Sequence, residues 1–130
     1  MIGLDSTIII DLFRGDMMAR EAIANADEPL ASTIINYQEL MFGLDLDKKE
    51  HKEEGEFYDR LFDGIFLLDM TKQSAKKAAG VMKELQKTGV EAGRFDSMIA
   101  AILLESGVKR IMTRNARHFA KIKSLEVIRY

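Results

Sequence analysis

The sequence predicts a three-layer α/β domain with a mostly parallel central sheet covered by helices.

 Three observations carry that expectation. Short apolar runs ("IGL", "LASTI", "GIFLL", "KRIMT", "LEVIRY") alternate with segments of helical period. The links between them are short, which favours parallel strands joined by helices on both faces. Finally, 47% of the 130 residues are hydrophobic and 31% charged, the balance of a globular domain with one core. One unit spanning residues 1–130 is expected, without repeats or linkers.

Taken in order, "IGL" is a short buried strand ending at Asp5, and Thr7 is placed to cap a helix running to about Phe13 and stopped near Gly15. A second short helix fits Met17 to Asn25. Pro29 precedes the strand "LASTI", after which "NYQELMFGL" has a helical pattern from about Tyr37. "DLDKKEHKEEGEFYDRLF" is strongly charged with apolar residues entering late, the pattern of a solvated helix leading into "GIFLL". Between Thr71 and Gly89, the residues Ala75, Ala78, Ala79, Met82 and Leu85 recur at helical spacing with lysines between them. The next helix, from about Asp96 to Ser106, is apolar nearly all round from Met98 to Leu104, so burial on several sides is expected before Gly107 ends it. "KRIMT", "NARHFAKI" and "LEVIRY" close the chain as strand, short helix and strand. Met17, Met18, Met41, Met82 and Met98 fit core or interface packing.

Composition narrows the chemistry. Nineteen Lys and Arg against twenty-one Asp and Glu leave a formal charge of −2, so any nucleic-acid surface must be local. The absence of cysteine removes disulfides, thiolate metal sites and cysteine nucleophiles, and agrees with a reducing compartment. His51 and His118 are too few for a histidine-rich metal site and fit surface positions. "MIGLDSTIII" lacks a basic leader segment, and no apolar run reaches the roughly 18 residues of a membrane helix, so a cytoplasmic location and no membrane partner are expected. There is no GxGxxG or Walker A pattern, and "DLDKKEHKEEGE" has Lys49 and Glu50 where a calcium loop needs a ligand and a glycine.

In an open parallel sheet, ligands bind beyond the carboxyl ends of the strands. The polar residues expected there are Asp5 after the first strand, Glu39 inside the following helix, Asp96 at the start of the buried helix, and Thr113 and Asn115 after "RIM". Each also has an ordinary role at a helix start. Asn36 and Glu39 have the spacing of a capping box, Asp96 can cap its helix, and Asn115 the short one. Together, three carboxylates and an amide at one sheet edge repel one another unless a cation joins them. An oxygen-only set selects a hard ion such as Mg²⁺ or Mn²⁺. Beyond the site, "RNARHFAKIK" places Arg114, Arg117, His118, Lys121 and Lys123 together, and Arg94 lies just before Asp96. These cations form either a solvated face or a path for phosphates.

These segments, in this order, resemble the PIN domain family, and within it the VapC-type toxin ribonucleases of toxin-antitoxin pairs. "IGLDSTIIIDLFRGD" looks like the opening motif with Asp5, "ASTIINYQELMFG" like the second with Glu39, and "GRFDSMIAAILLESG" like the third with Asp96. "RIMTRNARHFAKIKSLEVI" matches the closing motif, with Thr113 and Asn115 in its polar positions. The resemblance implies Mg²⁺- or Mn²⁺-dependent hydrolysis of RNA phosphodiester bonds. Asp5 and Asp96 would bind the metal directly and Glu39 directly or through water, while Asn115 would position a water or a weak second ion. It implies support from Thr7 and Thr113, RNA contacts from Arg94, Arg114, Arg117 and Lys121, a homodimer, and a cognate VapB-type antitoxin covering the acidic pocket. Three points stand out: the position of Asn115 is Asp in many members and Asn in many others, Asn36 stands where Ser or Thr is common, and Arg94 and Phe95 replace a more usual Pro-Asn type of approach.

Rival readings fit less well. A receiver domain needs paired acids and a late lysine, and a haloacid-type phosphatase needs Asp-x-Asp where this chain has Asp5-Ser6-Thr7. A non-toxin RNA-processing nuclease, or a PIN-like binding module without turnover, shares the fold and is separated from a toxin only by activity and partners.

Overall fold

The computed structural model describes residues 1–90 and 93–130. Its elements are β1 (Ile2–Leu4), α1 (Ser6–Phe13), α2 (Met17–Ala24), β2 (Leu30–Thr33), α3 (Ile34–Phe42), α4 (Lys49–Asp63), β3 (Phe66–Leu68), α5 (Lys72–Lys87), α6 (Arg94–Glu105), β4 (Arg110–Met112), α7 (Ala116–Phe119) and β5 (Glu126–Ile128). The strands lie in the order β3-β2-β1-β4-β5, and every pairing is parallel, so the sheet expected to be mostly parallel is wholly so among the described residues. Register runs Ile2 to Leu30 on one side of β1 and Ile2 to Arg110 on the other.

Two hydrophobic clusters define the two faces. On one, Ile99, Ile102 and Leu103 of α6 pack with Leu85, Ile111, Phe119 and Ile122. On the other, Ile2 and Leu4 of β1 meet Ile8 and Ile9 of α1, Leu40 of α3, and Tyr58 and Phe62 of α4. Strand periodicity makes this division: in β4, Ile111 joins the first cluster and Met112 the second. In α6, Ile99, Ala100, Ala101, Ile102 and Leu103 are all at most 1% exposed, the burial on several sides that its sequence predicts.

Several element ends differ from the sequence expectation, each for a local reason. Helix α3 begins at Ile34 rather than near Tyr37, because Thr33 and Asn36 form the capping box; the expected box between Asn36 and Glu39 is not made. Helix α6 begins at Arg94 with Gly93 in the cap position, so Asp96 is its third residue and not its cap. Asp5 and Asn115 occupy the cap positions of α1 and α7, yet neither side chain bonds its helix backbone. On α5 the inward stripe is Ser74, Ala78, partly buried Val81, and Leu85, while Ala75 and Ala79 face solvent. The larger Val81 and Leu85 set that face, where a count of small alanines points to another. Met17 and Met18 are 81% and 62% exposed rather than in the core, since α2 buries only Ala19. Met41 and Met98 pack against the two clusters as partly buried residues. Phe42 projects from the end of α3 at 91% exposure.

At Gly3 a side chain of α6 packs directly on the sheet backbone. A Cβ built there would lie 2.8 Å from both terminal carbons of Leu103, itself 1% exposed in the packed core. Gly3→Ala should therefore destabilise the fold by about 1–3 kcal/mol through overpacking. In a Leu103→Ala background the same change should cost less, a coupling measurable by denaturant unfolding of the double-mutant cycle.

Candidate active site

The strand order reverses at β1: the chain steps from β1 to β2 on one side, and β4 later pairs on the other. Ligand sites in open parallel sheets form at such a switch, beyond the carboxyl ends. Asp5 follows β1 there, and Thr113 follows β4.

Asp5 is 4% exposed, and its carboxylate is held by neutral donors. Thr113 Oγ1 donates to Oδ2 at 2.7 Å and Thr7 Oγ1 to the same oxygen at 3.1 Å, while Asn36 Nδ2 donates to Oδ1 at 3.1 Å. Each threonine hydroxyl in turn accepts a backbone N–H of the loop after β4: Thr113 from Asn115 at 3.0 Å and Thr7 from Arg114 at 3.0 Å. The loop is thus tied to the carboxylate through the two hydroxyls. Asn36, wholly buried, completes the set from α3, its own oxygen taking the hydroxyl of Thr33 at 2.7 Å.

Glu39 lies one turn beyond Asn36 on α3 and accepts from Ser6 Oγ at 2.9 Å. Burial holds its carboxyl above the usual carboxylate range; the Ser6 bond opposes this, and the nearby charges of Asp5 and Asp96 add to it. Asp96 is likewise pushed up, first by burial, with His118 opposing and Asp5 adding. Its Oδ2 lies 3.0 Å from His118 Nδ1. The three acids therefore share one electrostatic neighbourhood, although among the described residues no three acids or histidines stand close enough to enclose an ion as they are. Asn115 is exposed at the start of α7, beside this network. The hydroxyl of Ser97, next to Asp96, is buried without a hydrogen-bond partner among the described residues.

The cations separate into two groups. Arg114 Nη1 pairs with Asp11 at 2.8 Å, and Tyr130 donates to the other oxygen of that 6%-exposed aspartate at 2.6 Å. Arg114 thus ties the loop after β4 to α1. Arg94, Arg117 and Lys121 are exposed. The sequence reading missed Ser6 and the Asp11–Arg114–Tyr130 group. Ser6 had one signal, its place beside Asp5 at a helix start; the other group joins residues over 100 positions apart and had none.

The raised carboxyl of Glu39 has a stability consequence. A group whose folded pKa is raised contributes most below its unfolded pKa, about 4.3 for glutamate, and that contribution is lost as pH rises through the folded value. Ionised Glu39 therefore weighs against folding at neutral pH. Glu39→Gln should raise Tm at pH 7 by about 1–5 °C, with the gain shrinking toward pH 4, as followed by thermal unfolding across that range.

The fold has been seen in other proteins. VapBC2 from Rickettsia felis, bound to a promoter DNA fragment, superposes with a TM-score of 0.86 at 18% identity, covering 100% of this chain and 99% of that one. FitAcB from Neisseria gonorrhoeae gives 0.83 at 23% identity, covering 98% and 96%. Mycobacterium tuberculosis VapC20, a sarcin-ricin loop cleaving toxin, gives 0.71 at 14% identity, covering 92% and 94%. At these identities the likeness is one of fold. No curated protein sequence matches the chain. A family model for the PIN domain matches residues 2–125, and the chain belongs to the PIN domain family.

Proposed function

We propose that this chain, as one domain over residues 1–130, is a metal-dependent endoribonuclease and the toxin of a VapBC-type toxin-antitoxin pair. The observation that carries the reading is the gathering of Asp5, Glu39 and Asp96, from three separate elements, at the switch point of the sheet. Two of these carboxyls are pushed up by burial and by neighbouring carboxylates, Glu39 by Asp5 and Asp96 and Asp96 by Asp5, and Asp5 is held by neutral donors. A hard divalent cation relieves that repulsion, and an oxygen-only donor set suits Mg²⁺ or Mn²⁺. Asp5 and Asp96 would hold it directly, Glu39 directly or through water. Such an ion supplies Lewis acidity toward a phosphodiester and activates water near neutral pH.

The chain's own residues do the rest. Thr7, Thr113 and Asn36 orient Asp5, and the buried body of α6 keeps Asp96 in place. Asn115 offers a neutral amide to a water or a weak second ion. Arg94, Arg117 and Lys121 are exposed and would neutralise backbone phosphates, whereas the charge of Arg114 is engaged by Asp11. The toxin reading, with a VapB-type antitoxin, a homodimer and a cytoplasmic location, draws support from the toxin-antitoxin neighbours and from the fact that no helix among the described residues is long and apolar enough to cross a membrane.

One observation favours a PIN-like binding module instead: Glu39 and Asp96 are engaged by Ser6 and His118, and among the described residues no three acids close around an ion. One experiment separates the two. With Mg²⁺ or Mn²⁺ the wild type should cut RNA and a chelator should stop it. Asp5→Asn and Asp96→Asn, checked for folding by circular dichroism, should each lower the rate at least about 100-fold, in line with the loss of a transition-state charge stabiliser. Mn²⁺ should raise the Tm of the wild type and not of these variants. Cutting that persists undiminished in Asp96→Asn would sink the nuclease assignment. A toxin further predicts a small antitoxin in the neighbouring reading frame.

A further inference from the structure

We propose that Phe42 and Phe95 form a slot in which one unstacked base of single-stranded RNA stacks beside the carboxylate site. Ile35, Gln38, Glu39 and Phe42 are spaced at three, four and seven residues, so they lie along one face of α3. With Phe95, the second residue of α6, they line a cavity of about 360 Å³, near the small end of ligand pockets at roughly 300–1,000 Å³. Both rings stand open to solvent, Phe42 at 91% and Phe95 at 49% exposure. The ring-to-ring contacts among the described residues involve Phe13, Tyr37, Phe57, Tyr58 and Phe62, so neither slot ring is engaged by another aromatic.

Charge selects the occupant. Among the described residues no cation lines the cavity, and Glu39 forms part of its wall, so an anionic group is repelled and a neutral flat one is accepted. Stacking on an aromatic face suits every base, and the exposed amide of Gln38 offers a donor and an acceptor to a base edge. Glu39 belongs to both the slot and the acidic cluster, so a base seated here brings its own backbone to the carboxylates. The slot rests on the nuclease reading for its substrate class, and supplies what that reading lacks, a reason for two bare rings at the mouth.

The test uses the full chain carrying Asp96→Asn, so that cutting does not intrude, and a short single-stranded RNA containing 2-aminopurine, whose emission falls on stacking. Phe42→Leu and Phe95→Leu, which keep apolar volume but remove the ring face, should each weaken binding by about 5- to 100-fold and abolish the quenching. Phe95→Tyr should keep both. The Mn²⁺-induced rise in Tm, measured in the otherwise wild-type chain, should be the same in all three variants. Unchanged affinity in both leucine variants, or no RNA binding by the starting protein, overturns the slot. So does a Phe42→Leu chain that turns from dimer to monomer by light scattering while binding RNA as before, which would make this face a contact between copies. The two readings fail separately: ring-dependent quenching without metal-dependent cutting by the wild type removes the nuclease and leaves the slot, and cutting with an unaltered KM in the leucine variants does the reverse.

Discussion

A carboxylate buried at the end of the central strand sets the terms for the rest of the site. An ionised group out of water is costly unless its oxygens are fully engaged. Asp5 meets that requirement with hydroxyls from Thr7 and Thr113 and the amide of Asn36. Each donor comes from a different part of the fold: α1, the end of β4, and α3. The bonds that keep Asp5 in place therefore also join these elements, and the Thr33–Asn36 box that starts α3 orients the amide that reaches it.

Around this fixed acid the other two are less settled. Burial and neighbouring charge both work against ionised Glu39 and Asp96, with one hydroxyl and one imidazole opposing. Such tension is typical of sites whose charge is matched by a ligand rather than by the fold. The fold contributes rigidity instead: α6, buried from Ile99 to Leu103, and Gly3 beneath Leu103 hold the first turn of that helix against the sheet. A carboxylate on that turn has a defined place even while its charge is only partly answered.

The surface around the site divides by chemistry. Asp11, Arg114 and Tyr130 form one bonded group, its aspartate buried and its arginine exposed, that braces the loop after β4. Phe42 and Phe95 face outward as exposed apolar residues. Charge that resembles a binding surface in the sequence is thus partly structural, and apolar residues that resemble core are partly surface.

The sequence by itself determined the alternation of strands and helices, the parallel sheet, the buried character of α6 and the grouping of Asp5, Glu39, Asp96 and Thr113 at one sheet edge, because periodicity, short links and strand ends are local properties of the chain. Only the tertiary structure decided what each polar side chain bonds. The cap assigned to Asp96 and the box assigned to Asn36 and Glu39 were equally good by spacing; the fold moved them because Gly93 takes the cap position of α6, Thr33 pairs with Asn36 and Ser6 engages Glu39, while Asn115 keeps its cap position without bonding the helix backbone. The pairing of Arg114 with Asp11 and the exposure of Phe42 were likewise invisible, since they depend on which face a helix turns to partners distant in the chain.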